Sequence, residues 1–116
     1  MHGLGLKGIW LAASLVGAVL TVTLLSGPVS AQGKSATDTY LDKCSVCHGA
    51  DGAGKTAKGK KLKVKDVRET VSKLTAEQMA EIVTKGKAPN MDGYAKDFPA
   101  DQIKQIVEYY RSLAKK

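Results

Sequence analysis

Five consecutive residues, Cys44-Ser45-Val46-Cys47-His48, constrain this chain more than any other feature. They present two thiols three positions apart at the end of a helical pattern, with an imidazole directly behind them. That spacing matches the two vinyl groups on one edge of a haem. Each thiol can then form a thioether while His48 turns its ring under the iron. A disulfide or a thioredoxin-like redox pair is another use of Cys-x-x-Cys. The thioredoxin-like pair needs βαβ units, and the chain shows neither strand-like alternation nor an internal repeat. A zinc site needs a fourth ligand, yet beyond position 31 there is no other Cys or His. The motif therefore predicts one covalently bound haem c.

The first 31 residues differ from the rest. A short basic start is followed by an almost wholly apolar run from Gly8 to Leu25, then Ser26-Gly27-Pro28 and Val29-Ser30-Ala31. Small residues at the last and third-last positions fit a signal-peptidase site after Ala31. Residues 1–31 are thus expected to be a signal peptide, the alternative being an uncleaved anchor, since the run is near the lower limit for spanning a bilayer. The expected location is outside the cytoplasm, in the periplasm, with a membrane-anchored form facing the periplasm as the alternative. Of the charged residues only Lys7 belongs to this leader. Residues 32–116 are then an 85-residue domain with 17 basic and 11 acidic side chains, net +6. That length is marginal for a core of side chains alone, so something extra is expected to hold it together, such as a disulfide, a metal or a large cofactor.

Within 32–116 four segments read as helices. The first runs from about Ala36 to Val46, with Ser35 and Asp38 as a capping box. Gly49 to Lys63, with four glycines and five lysines, reads as a loop. A second helix is expected over about Lys65 to Leu74, with Val64, Val67, Val71 and Leu74 on one face. A third begins after Thr75, with Gln78 reaching back to the cap, Met79, Ile82 and Val83 buried, and Gly86 as its stop. Lys87 to Pro99 is irregular. Pro99 opens the last helix, whose stripe is Ile103, Ile106, Val107, Tyr110 and Leu113. The fold class is all-α, three to four helices around one haem.

Iron held by His48 keeps a sixth position, for which His, Met and Cys are the protein candidates. Only Met79 and Met91 remain available. Met79 lies at an ordinary core spacing of its helix. Met91 sits in the irregular Pro89-Asn90-Met91-Asp92-Gly93 stretch, where a flexible thioether can be laid over a flat ring, and it is the favoured ligand.

With Tyr40 four before the first Cys, His48-Gly49, Gly52, Gly54, Gly86-Lys87, Met91, Tyr94 and a final Ile106-Val107-Glu108-Tyr109-Tyr110 helix, the sequence resembles the small class I monohaem cytochromes c over essentially all of 32–116. The resemblance implies a cytochrome c-like fold, His48 and Met91 as axial ligands, and a one-electron carrier rather than an enzyme. It also implies that the first and last helices cross beside the haem, Ala36 and Tyr40 meeting Ile106 and Tyr109. Two positions depart from the pattern. Many relatives have a Pro shortly after the haem motif whose carbonyl accepts from the proximal imidazole. Here no Pro lies between His48 and Pro89; a carbonyl near Gly59 to Lys61 could substitute, since the bond needs only a carbonyl, but the sequence does not assign one. Asp92 stands where many relatives have Pro, and an acid there favours the ferric state.

The lysines Lys34, Lys43, Lys55, Lys58, Lys60, Lys61, Lys63 and Lys65 flank the motif. They are either ordinary solvated surface or a positive patch that steers an acidic redox partner. The expected partners are donor and acceptor redox proteins. Nucleic acid is not among them, for want of an aromatic–basic binding surface. Two other readings compete: a haem enzyme or gas sensor with an open sixth position, and a dedicated subunit of a larger complex.

Overall fold

The first helix begins where the sequence supplies a cap. In the computed structural model, which describes residues 33–116, the Ser35 Oγ accepts the Asp38 N–H at 3.1 Å. The box is half formed. Asp38, a methylene shorter than Glu, takes the Ser35 hydroxyl at 2.6 Å instead of reaching back to the backbone N–H. The expected leader 1–31 lies outside the described residues.

Helix α1 is three pieces in one run: Ala36–Thr39, a π-helical stretch Tyr40–Cys44, and Ser45–His48. In the π stretch the Ser45 N–H bonds to the Tyr40 carbonyl, five residues back. Single π turns inside α-helices are frequent at functional sites, and this one carries the first haem-motif cysteine. Gly49, at φ 82°, ends the helix.

The segment Gly49 to Lys63 is not all loop. Ala57–Lys61 forms a short helix, α2. Its N-cap Thr56 accepts the Gly59 N–H at 2.9 Å while its hydroxyl donates to the Val46 carbonyl at 2.7 Å. One side chain thus caps α2 and satisfies an otherwise orphaned carbonyl in the last turn of α1. Gly59 lets the two approach, for a Cβ there would collide with the Cys47 carbonyl oxygen.

Helix α3, Val67–Lys73, is shorter at both ends than its apolar pattern suggests. Asp66 caps it, accepting the Arg68 N–H at 2.8 Å. Helix α4, Ala76–Lys85, has the full capping box of Thr75 and Gln78 and stops at Gly86. Helix α5, Ala100–Ser112, follows Pro99 at the N-cap and tightens into a 3-10 turn, Leu113–Lys115.

Helix α5 supplies both halves of the core. Ile106 and Leu113 join Tyr40 and Val67 in one cluster, with Ala36 and Tyr109 packed against it. The α1–α5 crossing is therefore the one the resemblance implied. The Tyr40 and Tyr109 rings meet edge to face, centroids 5.3 Å apart, a favoured aromatic geometry. Ile103 and Val107 join Met79 in the second cluster, with Leu74 and Val83 alongside. The described residues form an all-α, cytochrome c-like domain, with no strand beyond an isolated bridge between Lys87 and Met91. No helix among them is long and apolar enough to cross a membrane.

Candidate functional site

Cys44 and His48 from α1, and Met91 from the chain after α4, line one cavity of about 590 Å³. That volume lies in the range of cofactor sites. Cys47, half-buried in the last turn of α1, is not part of the wall. Both thiols are free, so no disulfide joins them. Much of the wall is apolar, including Leu74, Ile82, Val83, Ile106 and Val107.

The backbone around His48 is fixed by its neighbours. Its carbonyl accepts the Gly54 N–H at 2.8 Å, and the Gly49 N–H bonds to Ser45 O at 2.8 Å. The Tyr110 ring stands edge to face with the imidazole, centroids 5.2 Å apart. Burial lowers the His48 pKa, because a low dielectric disfavours the charged ring. The neutral imidazole is the form that binds metal. His48 Nδ1 is buried with no hydrogen-bond partner among the described residues. The substitute carbonyl expected near Gly59 to Lys61 is not formed. Gly59 O is taken by the Val64 N–H at 2.9 Å and Lys60 O by the Lys63 N–H at 3.2 Å. These bonds close the end of α2, which the sequence had not shown to be helical. The Cys44 thiol is pushed up to about 11, by burial first and by Cys47 second.

Met91 is held by a turn that closes on itself. The Lys87 N–H bonds to Met91 O at 2.8 Å and the Met91 N–H to Lys87 O at 3.0 Å, around the cis Ala88–Pro89 bond. Beyond it, the N–H groups of Tyr94 and Ala95 reach Val83 O and Thr84 O at 2.9 and 3.3 Å. These are carbonyls that the end of α4 would leave unpaired, so the loop folds back over α4. The crossing needs two glycines. A Cβ on Gly86, at φ 80°, would lie 2.6 Å from Gly93 N and 2.7 Å from Met91 O. Asp92 is exposed. Met79, 4 % exposed, also reaches the wall while belonging to the second core cluster.

Charge gathers at the cavity through Lys63, Lys65, Lys73, Lys87 and Glu69. Glu69 pairs with Lys73 at 2.7 Å and Lys65 at 3.7 Å. Lys63 and Lys87 have no ion pair among the described residues. Lys63, at the end of α2, is the one non-glycine with positive φ among the described residues, 57°. Lys73, Lys87 and Tyr110 were not legible as site residues. Lys73 and Lys87 sit among many lysines, and Tyr110 reads as part of a helix stripe. Lys34 and Lys43, by contrast, both face Asp42, at 2.9 and 3.7 Å.

A haem fits this cavity on three counts. The volume is adequate and largely apolar-walled, a buried imidazole stands in it, and ammonium groups are available to the carboxylates that a haem carries. Among the described residues no three His, Cys, Asp or Glu side chains gather as a metal-binding group. An all-α shell around such a cavity, with Cys-x-x-Cys-His on its first helix, defines a c-type cytochrome. The family model described as cytochrome c oxidase, cbb3-type, subunit III matches residues 31–109, and the chain belongs to that family. Solved c-type cytochromes share the fold. KustC0563 superposes with a TM-score of 0.63 at 25 % identity, over 68 % of this chain and 96 % of its own. XoxG from Methylobacterium extorquens AM1 gives 0.54 at 25 % identity over 70 % of this chain, which spans 49 % of XoxG. NirC gives 0.53 at 19 % identity, over 66 % of this chain and 85 % of its own. No curated protein matches the sequence. Cys44 and Cys47 have the spacing for covalent haem c, and the protein is an electron carrier rather than an enzyme.

Proposed function

We propose that this is a small class I monohaem cytochrome whose haem is fastened by Cys44 and Cys47 and ligated by His48 and Met91. In this reading the protein is exported, loses residues 1–31, and passes single electrons between redox proteins in the periplasm. The observation that carries it is the meeting of Cys44, His48 and Met91 at one cavity from segments 43 residues apart in sequence. Met79 also reaches the wall, but turning it to an iron would open its packing with Ile103 and Val107. Met91 comes from a turn with no such packing to lose.

A bound haem supplies reversible one-electron exchange between ferric and ferrous iron. The chain sets the balance. Burial keeps His48 neutral and able to donate. A thioether at the sixth position favours the ferrous state, and the apolar wall does the same by disfavouring the more positive centre. With His48 and Met91 both supplied by the chain to hold the iron, no outside ligand would need to enter or leave. The exposed lysines around the motif suit an acidic partner surface.

The exported protein should have the mass of residues 32–116 plus one haem, and its ferric form should be low-spin with the weak far-red sulfur-to-iron band. Met91→Ala should abolish that band and Met79→Leu should keep it. A high-spin ferric protein that takes up added ligands readily would sink the carrier reading. The family description names an oxidase subunit, which favours a second reading: a dedicated electron-delivering subunit of an oxidase. Purification from membranes in a fixed ratio with oxidase subunits would select it over a free carrier.

A further inference from the structure

We infer that Tyr40 is a positioning residue for the proximal ligand, its phenol locking the backbone that carries His48. This rests on the reading above that His48 ligates the iron. Among the described residues, Tyr40 Oη to Gly49 O, at 2.7 Å, is the only side-chain hydrogen bond formed wholly between buried groups. Tyr40 is 1 % exposed and reaches a carbonyl nine residues ahead on its own segment. It can do so because Gly49, at φ 82°, turns the chain back after α1. The same carbonyl accepts the Gly52 N–H at 3.1 Å, and the His48 carbonyl accepts the Gly54 N–H at 2.8 Å. Both peptides that follow the imidazole's Cα are therefore pinned, the second of them by a side chain.

The phenol itself cannot wander. Its ring is held by Tyr109 at 5.3 Å and Tyr110 at 6.0 Å, and Tyr110 in turn abuts the His48 ring at 5.2 Å. Tyr40 also lines the cavity. The imidazole needs this support because its Nδ1 has no acceptor among the described residues. The partner that most often orients a metal-bound imidazole is a hydrogen bond to its other nitrogen. Here the ring is oriented from its backbone and its edge instead. Without the phenol the Gly49 peptide is freer, the ring sits less squarely towards the iron, and its donation weakens. Ferric iron depends more on that donation, so the ferrous form gains.

Tyr40→Phe keeps the ring and deletes only the hydroxyl. In the haem-loaded protein we expect the ferrous-to-ferric ratio at a fixed solution potential to rise at least threefold. That is about 28 mV at 59 mV per decade for one electron. Tyr109→Phe, which removes a hydroxyl from the same aromatic cluster but away from the cavity wall, should leave the ratio unchanged. In the unmodified protein the Tyr40 hydroxyl proton should appear by NMR as a slowly exchanging resonance close to the Ala50 amide. A lower melting temperature with an unshifted potential would show a packing role only and overturn the inference. So would an equal shift in Tyr109→Phe, or a rapidly exchanging Tyr40 hydroxyl. A wild-type protein lacking the low-spin His/Met spectrum would instead overturn the functional reading beneath it.

Discussion

Gly86→Ala is the sharpest single test of how the sixth ligand is delivered. Gly86 closes α4 at φ 80° and ψ 177°, a region open essentially to glycine alone, and a non-glycine residue held there costs about 1–3 kcal/mol. The steric problem is separate. The new Cβ would sit 2.6 Å from Gly93 N, 2.7 Å from Met91 O and 2.8 Å from Asp92 C. All three are backbone atoms, so no side-chain rotation relieves the contact, and the 91–93 segment must move off α4. For a domain of this size each kcal/mol is worth about 4–8 °C of melting temperature. Strain alone therefore predicts a loss of at least about 4 °C. The displaced segment carries Met91, so the ferric sulfur-to-iron band should weaken in the same variant. Gly93→Ala meets Lys85 C and Thr84 O at 2.7 Å from the opposite side. It should weaken the band too, without the dihedral cost. A Gly86→Ala protein with its band intact and its melting point within 1 °C of wild type would refute the crossing as the device that sets Met91.

Thr75→Ala removes one half of the capping box of α4 and should cost about 1 kcal/mol. The haem spectrum should not change, since Thr75 is exposed and outside the cavity wall. The Asp66 carboxylate is held down to about 2 by its hydrogen bonds from the Arg68 side chain and backbone. What Asp66 contributes to stability is therefore present above its unfolded pKa near 4 and is lost as pH falls through about 2. NMR titration of the carboxyl carbon should show the low value, and Arg68→Ala should move it up.

What could be read from the sequence was whatever is local and periodic. Thr75 with Gln78, Gly86 as a stop, and the Ile103, Ile106, Val107 and Leu113 stripe each depend on residues within a turn or two of one another, and the structure repeats them. Four of the eight buried apolar side chains among the described residues belong to that one stripe. The short helix Ala57–Lys61 was hidden because Ala-Lys-Gly-Lys-Lys has no apolar face of its own. It is nucleated from outside, by Thr56 bonding across to Val46. The cavity could not be read at all. Its wall draws on four helices and two loops, and Met79 serves wall and core at once. The missing proline was legible as an absence, but not its consequence. Whether a carbonyl near α2 is aimed at His48 depends on how α2 ends, and there Gly59 O and Lys60 O are turned to the Val64 and Lys63 N–H groups.

The small core bears on what the haem does for the fold itself. Seven of the eight buried apolar side chains among the described residues stand in two clusters, and a cavity of about 590 Å³ draws on residues of both. Residual cavities in protein cores cost about 24 cal/mol per Å³, so an unfilled void of this size would cost at most on the order of 14 kcal/mol. A small domain has only about 5–15 kcal/mol of stability in total. The site opens to solvent at its lysine-lined rim, so water offsets part of that cost, but the apolar wall left facing it still weakens the shape the chain has around the site. Filling the site is therefore part of folding, and covalent attachment keeps the filling from being lost. Replacing both thiols, Cys44→Ala with Cys47→Ala, should give a haem-free chain with helical far-UV circular dichroism but no cooperative thermal transition, expanded in solution and binding hydrophobic dyes. A sharp, two-state melt of that variant above about 50 °C would show that the helices hold each other without the group between them, and would refute the reasoning.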